Sequence, residues 1–159
     1  MSSLYLPKEL CIQSKLKISP KLRTLLPDVS RLNVYGDGNC GYHVMHLIRY
    51  FYNGMIVDVD MMKVMRYERL KTQCPELAKA NDHFLEYLEI GVCLGDLQLN
   101  IVLVVPDKRG KKIEYKLQVA NYEPKNSSWA FIFLSRGGKK CGHYELLVKK
   151  HDAFFDNDE

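Results

Sequence analysis

Apolar residues recur at helical spacing in three places along the chain and then switch to strand spacing. Val44, Leu47, Ile48 and Phe51 stand at i, i+3, i+4 and i+7, the signature of one helix face. The turn-forming run Tyr35-Gly36-Asp37-Gly38-Asn39 feeds the start of that helix, and Asn53-Gly54 stops it. A second helix is expected from Asp58 to Gln73, capped by Asp58 and ended before Pro75, with Met61, Met62 and Met65 toward the core. A third amphipathic stretch carries Ile90, Cys93, Leu94 and Leu97 on one face, and Gly91 and Gly95 leave room there for another element. Cys93 reads as a small buried hydrophobe.

From Leu99 the pattern is that of strands: Asn100 to Val105, Lys112 to Ala120, Ala130 to Leu134 and Cys141 to Lys149. Pro106 to Gly110 and Arg136-Gly137-Gly138 are the expected turns between strands that pair as hairpins. Helices followed by a run of strands predict an α+β fold, with a small, mainly antiparallel sheet flanked by helices. Pro7, Pro20 and Pro27 make 1–30 an irregular arm packed on the domain, with one helical turn near Lys21 to Leu25. The folded domain is then 31–150, and the acidic end 151–159 is a tail or linker.

Composition fits one folded domain: 159 residues, 47% hydrophobic and 26% charged, enough to bury a continuous core. The net charge of +4 is mild and its lysines alternate with acidic residues, so no nucleic-acid partner is expected. Five cysteines, an odd number with no CxxC pair, point to a reducing compartment and hence the cytoplasm. No apolar run is long enough to span a bilayer, so a soluble protein without a membrane partner is expected.

Chemistry concentrates on two segments about a hundred residues apart. A cysteine attacks as thiolate, and its pKa falls at a helix N-terminus or beside an imidazole. Cys40 opens the first predicted helix, behind a loop in which Gly36 and Gly38 permit unusual backbone angles. The amides of Gly38, Asn39 and Cys40 are placed to hold a developing oxyanion, and Asp37 to brace the loop. His143 is the expected base. Strand alternation sets His143 and Glu145 on one face and Tyr144 on the other, so Glu145 is a candidate to orient the imidazole. His43 and His46 share the helix of Cys40 and read as a flanking wall and a surface or core histidine. Gly41, Tyr42 and Trp129 are candidates for the walls of a substrate groove. A zinc site from Cys40, His43, Cys141 and His143 lacks the short paired spacing of structural zinc sites, and no metal or cofactor is expected.

Gly36-Asp37-Gly38-Asn39-Cys40, followed after about a hundred residues by His143-Tyr144-Glu145-Leu146-Leu147, resembles the ovarian-tumour (OTU) family of cysteine proteases. Glu89 through Leu103, and Ala130 to Leu134, resemble the family's intervening helix and strands, so nearly the whole chain is covered. The resemblance implies a papain-like fold and a thiol isopeptidase acting after the C-terminal glycine of ubiquitin or a ubiquitin-like modifier. It implies Cys40 as nucleophile, His143 as base and Asp37 as the aspartate of the cysteine loop. For the third member it leaves two possibilities: Glu145, where the family usually has Asp or Asn, or Asn33, seven residues before the cysteine, as in some viral members. The Cys40-Gly41-Tyr42-His43 continuation is similar to viral OTU domains, which implies a role against host ubiquitin signalling from the host cytosol. A polyprotein-processing protease and a non-catalytic ubiquitin-binding module are the alternatives. A monomer, or one domain of a larger polyprotein, is expected.

Overall fold

The computed structural model describes residues 11–12, 24, 26, 29–34, 38–80, 83–135 and 142–149. Helix α1, Cys40–Asn53, forms on the predicted apolar stripe. It ends at Gly54, whose φ of 75° lets its N–H return to Tyr50 O at 2.8 Å. Helix α2, Val59–Leu70, starts on Asp58, whose Oδ1 accepts from Met61 N at 2.8 Å. Its inward face is Met62, Arg66 and Leu70, with Met65 packed alongside. Met61 was expected there but is 55% exposed and shares the outer face with Val64.

Pro75 does more than end a helix. It opens the short helix α3, Pro75–Lys79, at a position where its missing N–H costs nothing. Helix α4, Tyr87–Cys93, is shorter than the apolar pattern suggests. Glu86 and Glu89 close a capping box at its start. Gly91 makes the expected close approach, since a Cβ there would stand 2.2 Å from Ala120 O. Gly95 does not, because its nearest neighbours are carbonyls of its own segment.

The strands are β1 Cys11–Ile12, β2 Val29–Val34, β3 Leu99–Arg109, β4 Lys112–Asn121, β5 Ser128–Ser135 and β6 His143–Lys149. Among the described residues they form one sheet in the order β1-β2-β6-β5-β3-β4. β3 and β5 are parallel and the other neighbours antiparallel, so the α+β class with a mainly antiparallel sheet holds. The parallel pair arises because β4 takes one side of β3 and leaves the other to β5.

Two elements differ from the sequence pattern. β3 runs through Pro106 to Arg109, and the turn is only Gly110-Lys111, with Gly110 at φ 62°. Proline is tolerated because β5 pairs with β3 only as far as Val104, which leaves one side of Pro106 without a ladder. The second difference is β2. Val29 and Ser30, read as part of an irregular arm, pair with Lys149 and Val148 of β6, and Cys11–Ile12 pair with Val34 and Asn33. The expected helical turn at Lys21 to Leu25 falls, apart from Thr24, outside the described residues, as does the 151–159 tail.

The sheet has two apolar faces. Leu32, Val34, Ile101, Leu103, Ile132, Tyr144 and Leu146 pack with Val44, Met45, Leu47 and Ile48 of α1 in the main core. Val104, Phe133 and Leu147 form a smaller cluster on the other face with Leu26, Val29, Tyr115 and Phe131. Val102 and Val119 are aligned partners across a register shift that leaves Ala120 as an extra residue, and Gly91 of α4 receives its carbonyl.

Candidate active site

Cys40 is the first residue of α1, and α1 packs across β6, whose first residue is His143. The approach to Cys40 passes through Gly38, at φ +88°, a conformation that L side chains rarely adopt. His43 N closes the first helical turn on Asn39 O at 3.0 Å, so the amides of Cys40, Gly41 and Tyr42 have no intrahelical acceptor. Asn39 does not cap the helix with its side chain. Helices α2, α3 and α4 each carry a carboxylate in the first turn, Asp60, Glu76 and Glu89, while α1 carries none. Cys40 thus sits at the positive end of the α1 dipole, in a first turn without a carboxylate of its own.

Cys93, like Cys40, is a buried free cysteine. Burial pushes its thiol up to about 11, against the lowering influence of Arg66 and Arg69. It is a core residue, as its sequence position implied.

The His143 ring is held from behind by β2. Its Nε2 lies 2.7 Å from Asn33 Oδ1. The same oxygen accepts from Val34 N at 2.9 Å, which fixes which end of the amide faces the ring. An acceptor facing Nε2 requires that nitrogen to carry a proton, so Nδ1 is the nitrogen with a free lone pair. An imidazole held in this tautomer can take a proton from a thiol through Nδ1.

Tyr144, the next residue on β6, faces the opposite way into the core. Burial raises its pKa, and the nearby Cys40 charge raises it further.

Comparison with known proteins bears on the fold. No family model and no curated protein matches the chain. Among solved structures, an OTU deubiquitinase from Wolbachia pipientis wMel bound to ubiquitin matches with TM-score 0.59 and 10% identity, over 79% of this chain and 98% of that one. The fold is that of the OTU domains. The OTUD1 OTU domain matches with TM-score 0.52 and 16% identity, over 81% of this chain and 91% of that one. A second Wolbachia OTU deubiquitinase structure gives 0.54 and 12%, over 79% and 91%.

Within this OTU fold the two candidates for orienting His143 separate. Glu145 is 2% exposed and its Oε1 accepts from Arg31, through Nε at 3.1 Å and through NH2. The Arg31 guanidinium also covers the Phe133 ring, 4.7 Å from its centroid. Glu145 is therefore committed to an ion pair, and Asn33 is the side chain on the imidazole. Both bridges link β2 to β6, and they lie two residues apart along each strand.

Tyr42, a candidate groove wall, is 4% exposed and belongs to the main core cluster, and burial pushes its hydroxyl up to about 12. Gly41 is buried against Leu85. Trp129 is half-exposed but stands at the far end of β5. Ser135 is the residue opposite His143, six positions or roughly 20 Å along the strand, so Trp129 does not flank the histidine. His43 and His46 are both buried on α1. Asp37, with Tyr35 and Gly36, lies outside the described residues, as does Cys141. Arg31 was missed because an arginine at the very start of the expected domain, next to the proline-rich arm, carries no signal until β2 is known to pair with β6.

Proposed function

We propose that this OTU domain is a cysteine deubiquitinase that hydrolyses the isopeptide bond after the C-terminal glycine of ubiquitin or a ubiquitin-like modifier. The observation that carries this reading is the His143 Nε2 to Asn33 Oδ1 bond, because it leaves Nδ1 as the basic nitrogen on a strand that packs against the helix Cys40 opens. The Wolbachia neighbour bound to ubiquitin supports the choice of substrate.

In this mechanism His143 Nδ1 takes the Cys40 proton and the thiolate attacks the glycine carbonyl. The amides of Gly38, Asn39 and Cys40 hold the oxyanion. Collapse of the tetrahedral intermediate breaks the C–N bond, and the imidazolium returns its proton to the departing lysine amine. Water, deprotonated by His143, then cleaves the thioester and releases the modifier with a free carboxylate. Asp37 supports the loop, Asn33 holds the ring, and no metal or organic cofactor takes part. The setting suggested by the sequence resemblance is viral, with the enzyme acting on host conjugates in the cytosol.

The test is release of a fluorogenic amide from the C-terminus of ubiquitin. The wild-type chain should turn it over and Cys40→Ala should not, with the fold of both checked by circular dichroism. Full activity in Cys40→Ala would exclude Cys40 as nucleophile. Binding of ubiquitin without turnover by the wild type would favour a non-catalytic module, and cleavage of only a polyprotein junction would favour the processing protease.

A further inference from the structure

Between α3 and α4 the chain runs through an irregular stretch, 84–86, that touches both halves of the site. The Leu85 side chain packs on the residue after the nucleophile: a Cβ added at Gly41 would meet Leu85 Cδ1 at 2.9 Å and Cβ at 3.2 Å. The Leu85 carbonyl accepts from Tyr144 Oη at 2.5 Å, and Tyr144 follows the base. The Phe84 ring stacks on the Tyr144 ring with centroids 4.7 Å apart and planes 16° apart. One dipeptide therefore grips the residue beside Cys40 and the residue beside His143.

The stretch is itself anchored. Glu86 N donates to Glu89 Oε2 at 2.8 Å, and the buried Arg66 donates to Glu89 Oε1 at 2.8 Å and to Leu77 O at 2.7 Å. His83 Nε2 lies 2.8 Å from Glu89 Oε1. Glu89 is fully buried, so both ends of the dipeptide are tied to a charge that cannot leave.

We infer that Phe84–Leu85 is a positioning clamp that fixes Cys40 relative to His143 by gripping Gly41 and Tyr144 at once. This rests on the Cys40–His143 reading. Leu85 and Tyr144 are 3% and 2% exposed, and both act through their neighbours. A clamp of this kind matters because a displacement of about 1 Å between reacting groups can cost about a hundredfold in rate.

The experiment follows the pH profile of Cys40 alkylation by iodoacetamide, resolved by peptide mass spectrometry, alongside kcat and KM on the fluorogenic ubiquitin amide. Tyr144→Phe keeps the ring stack and removes only the bond to Leu85 O. It should shift the alkylation profile toward higher pH and lower kcat with KM unchanged. Gly41→Ala should do the same more strongly, by about tenfold or more in kcat, although alanine alone favours the helix. Gly41→Ala combined with Leu85→Ala should recover most of that loss, because the truncated side chain makes room for the new methyl.

Unchanged profiles in both single variants, with only a lower melting temperature, would overturn the clamp and leave ordinary core packing. So would a double variant no better than Gly41→Ala. Alkylation needs no ubiquitin, so a wild-type chain that ignores ubiquitin while the variants shift the profile would refute the substrate and uphold the clamp.

Discussion

Asn33 Oδ1 accepts from His143 Nε2 at 2.7 Å while also accepting from Val34 N, so one amide oxygen ties the imidazole to the β2 backbone. Asn33 has little freedom to turn away, and the tautomer of His143 follows from it. The neighbouring bridge, Arg31 to Glu145, joins the same two strands on the same side chain face. The two bridges have different chemistry and should fail differently.

Asn33→Ala should lower kcat about 10- to 100-fold through loss of ring orientation, with a small change in stability. Glu145→Ala should instead destabilise the fold by about 3 kcal/mol, because it leaves Arg31 largely buried without its partner, and reduce kcat much less. Steady-state kinetics and urea midpoints on both variants distinguish the roles. A collapse of kcat in Glu145→Ala at full stability, with Asn33→Ala unaffected, would reverse the assignment.

The thiols should rank by environment. In native protein at neutral pH, iodoacetamide should modify exposed Cys74 and, although it is only 4% exposed, the helix-terminal Cys40, while sparing Cys93. Cys93 is fully buried and its thiol is pushed up to about 11, so it should react only after denaturation. Peptide mapping before and after urea reads this directly.

Asp96 sets an acid limit on stability. Burial opposes its ionisation, but bonds from Arg49 and Arg69 outweigh that and bring its pKa from 3.8 down to about 2. Lowered in the folded state, it contributes stability above pH 3.8 that is lost as pH falls toward 2. Asp96 is nearly half-exposed, so the contribution is modest, below about 1 kcal/mol. Urea midpoints at pH 5 and pH 3 should differ less in Asp96→Asn than in the wild type.

How legible the fold was varied with how local its cause is. α1 and its stop at Gly54 followed from an apolar stripe and a glycine, both properties of neighbouring residues. Gly91 was likewise readable as a point of close approach, though its partner, Ala120 O, was not. β2 escaped because its pairing with β6 joins residues more than a hundred positions apart, and Pro27 just before it reads as a breaker. The site divides the same way. Cys40 and His143 could be named as candidates because the glycine-rich turn and the strand alternation around them are local. Asn33 against Glu145 was not, since the choice depends on Arg31 across the sheet capturing the carboxylate. Trp129 stands apart from His143 because distance along β5 separates them, which sequence order alone does not express.

The most direct measurement is covalent capture by ubiquitin carrying a C-terminal electrophile, read by intact mass and peptide mapping. The wild-type chain should gain one ubiquitin, attached at Cys40, and Cys40→Ala should gain none. Attachment at Cys74 or Cys93, or no adduct on a folded wild-type chain, would contradict the proposed function.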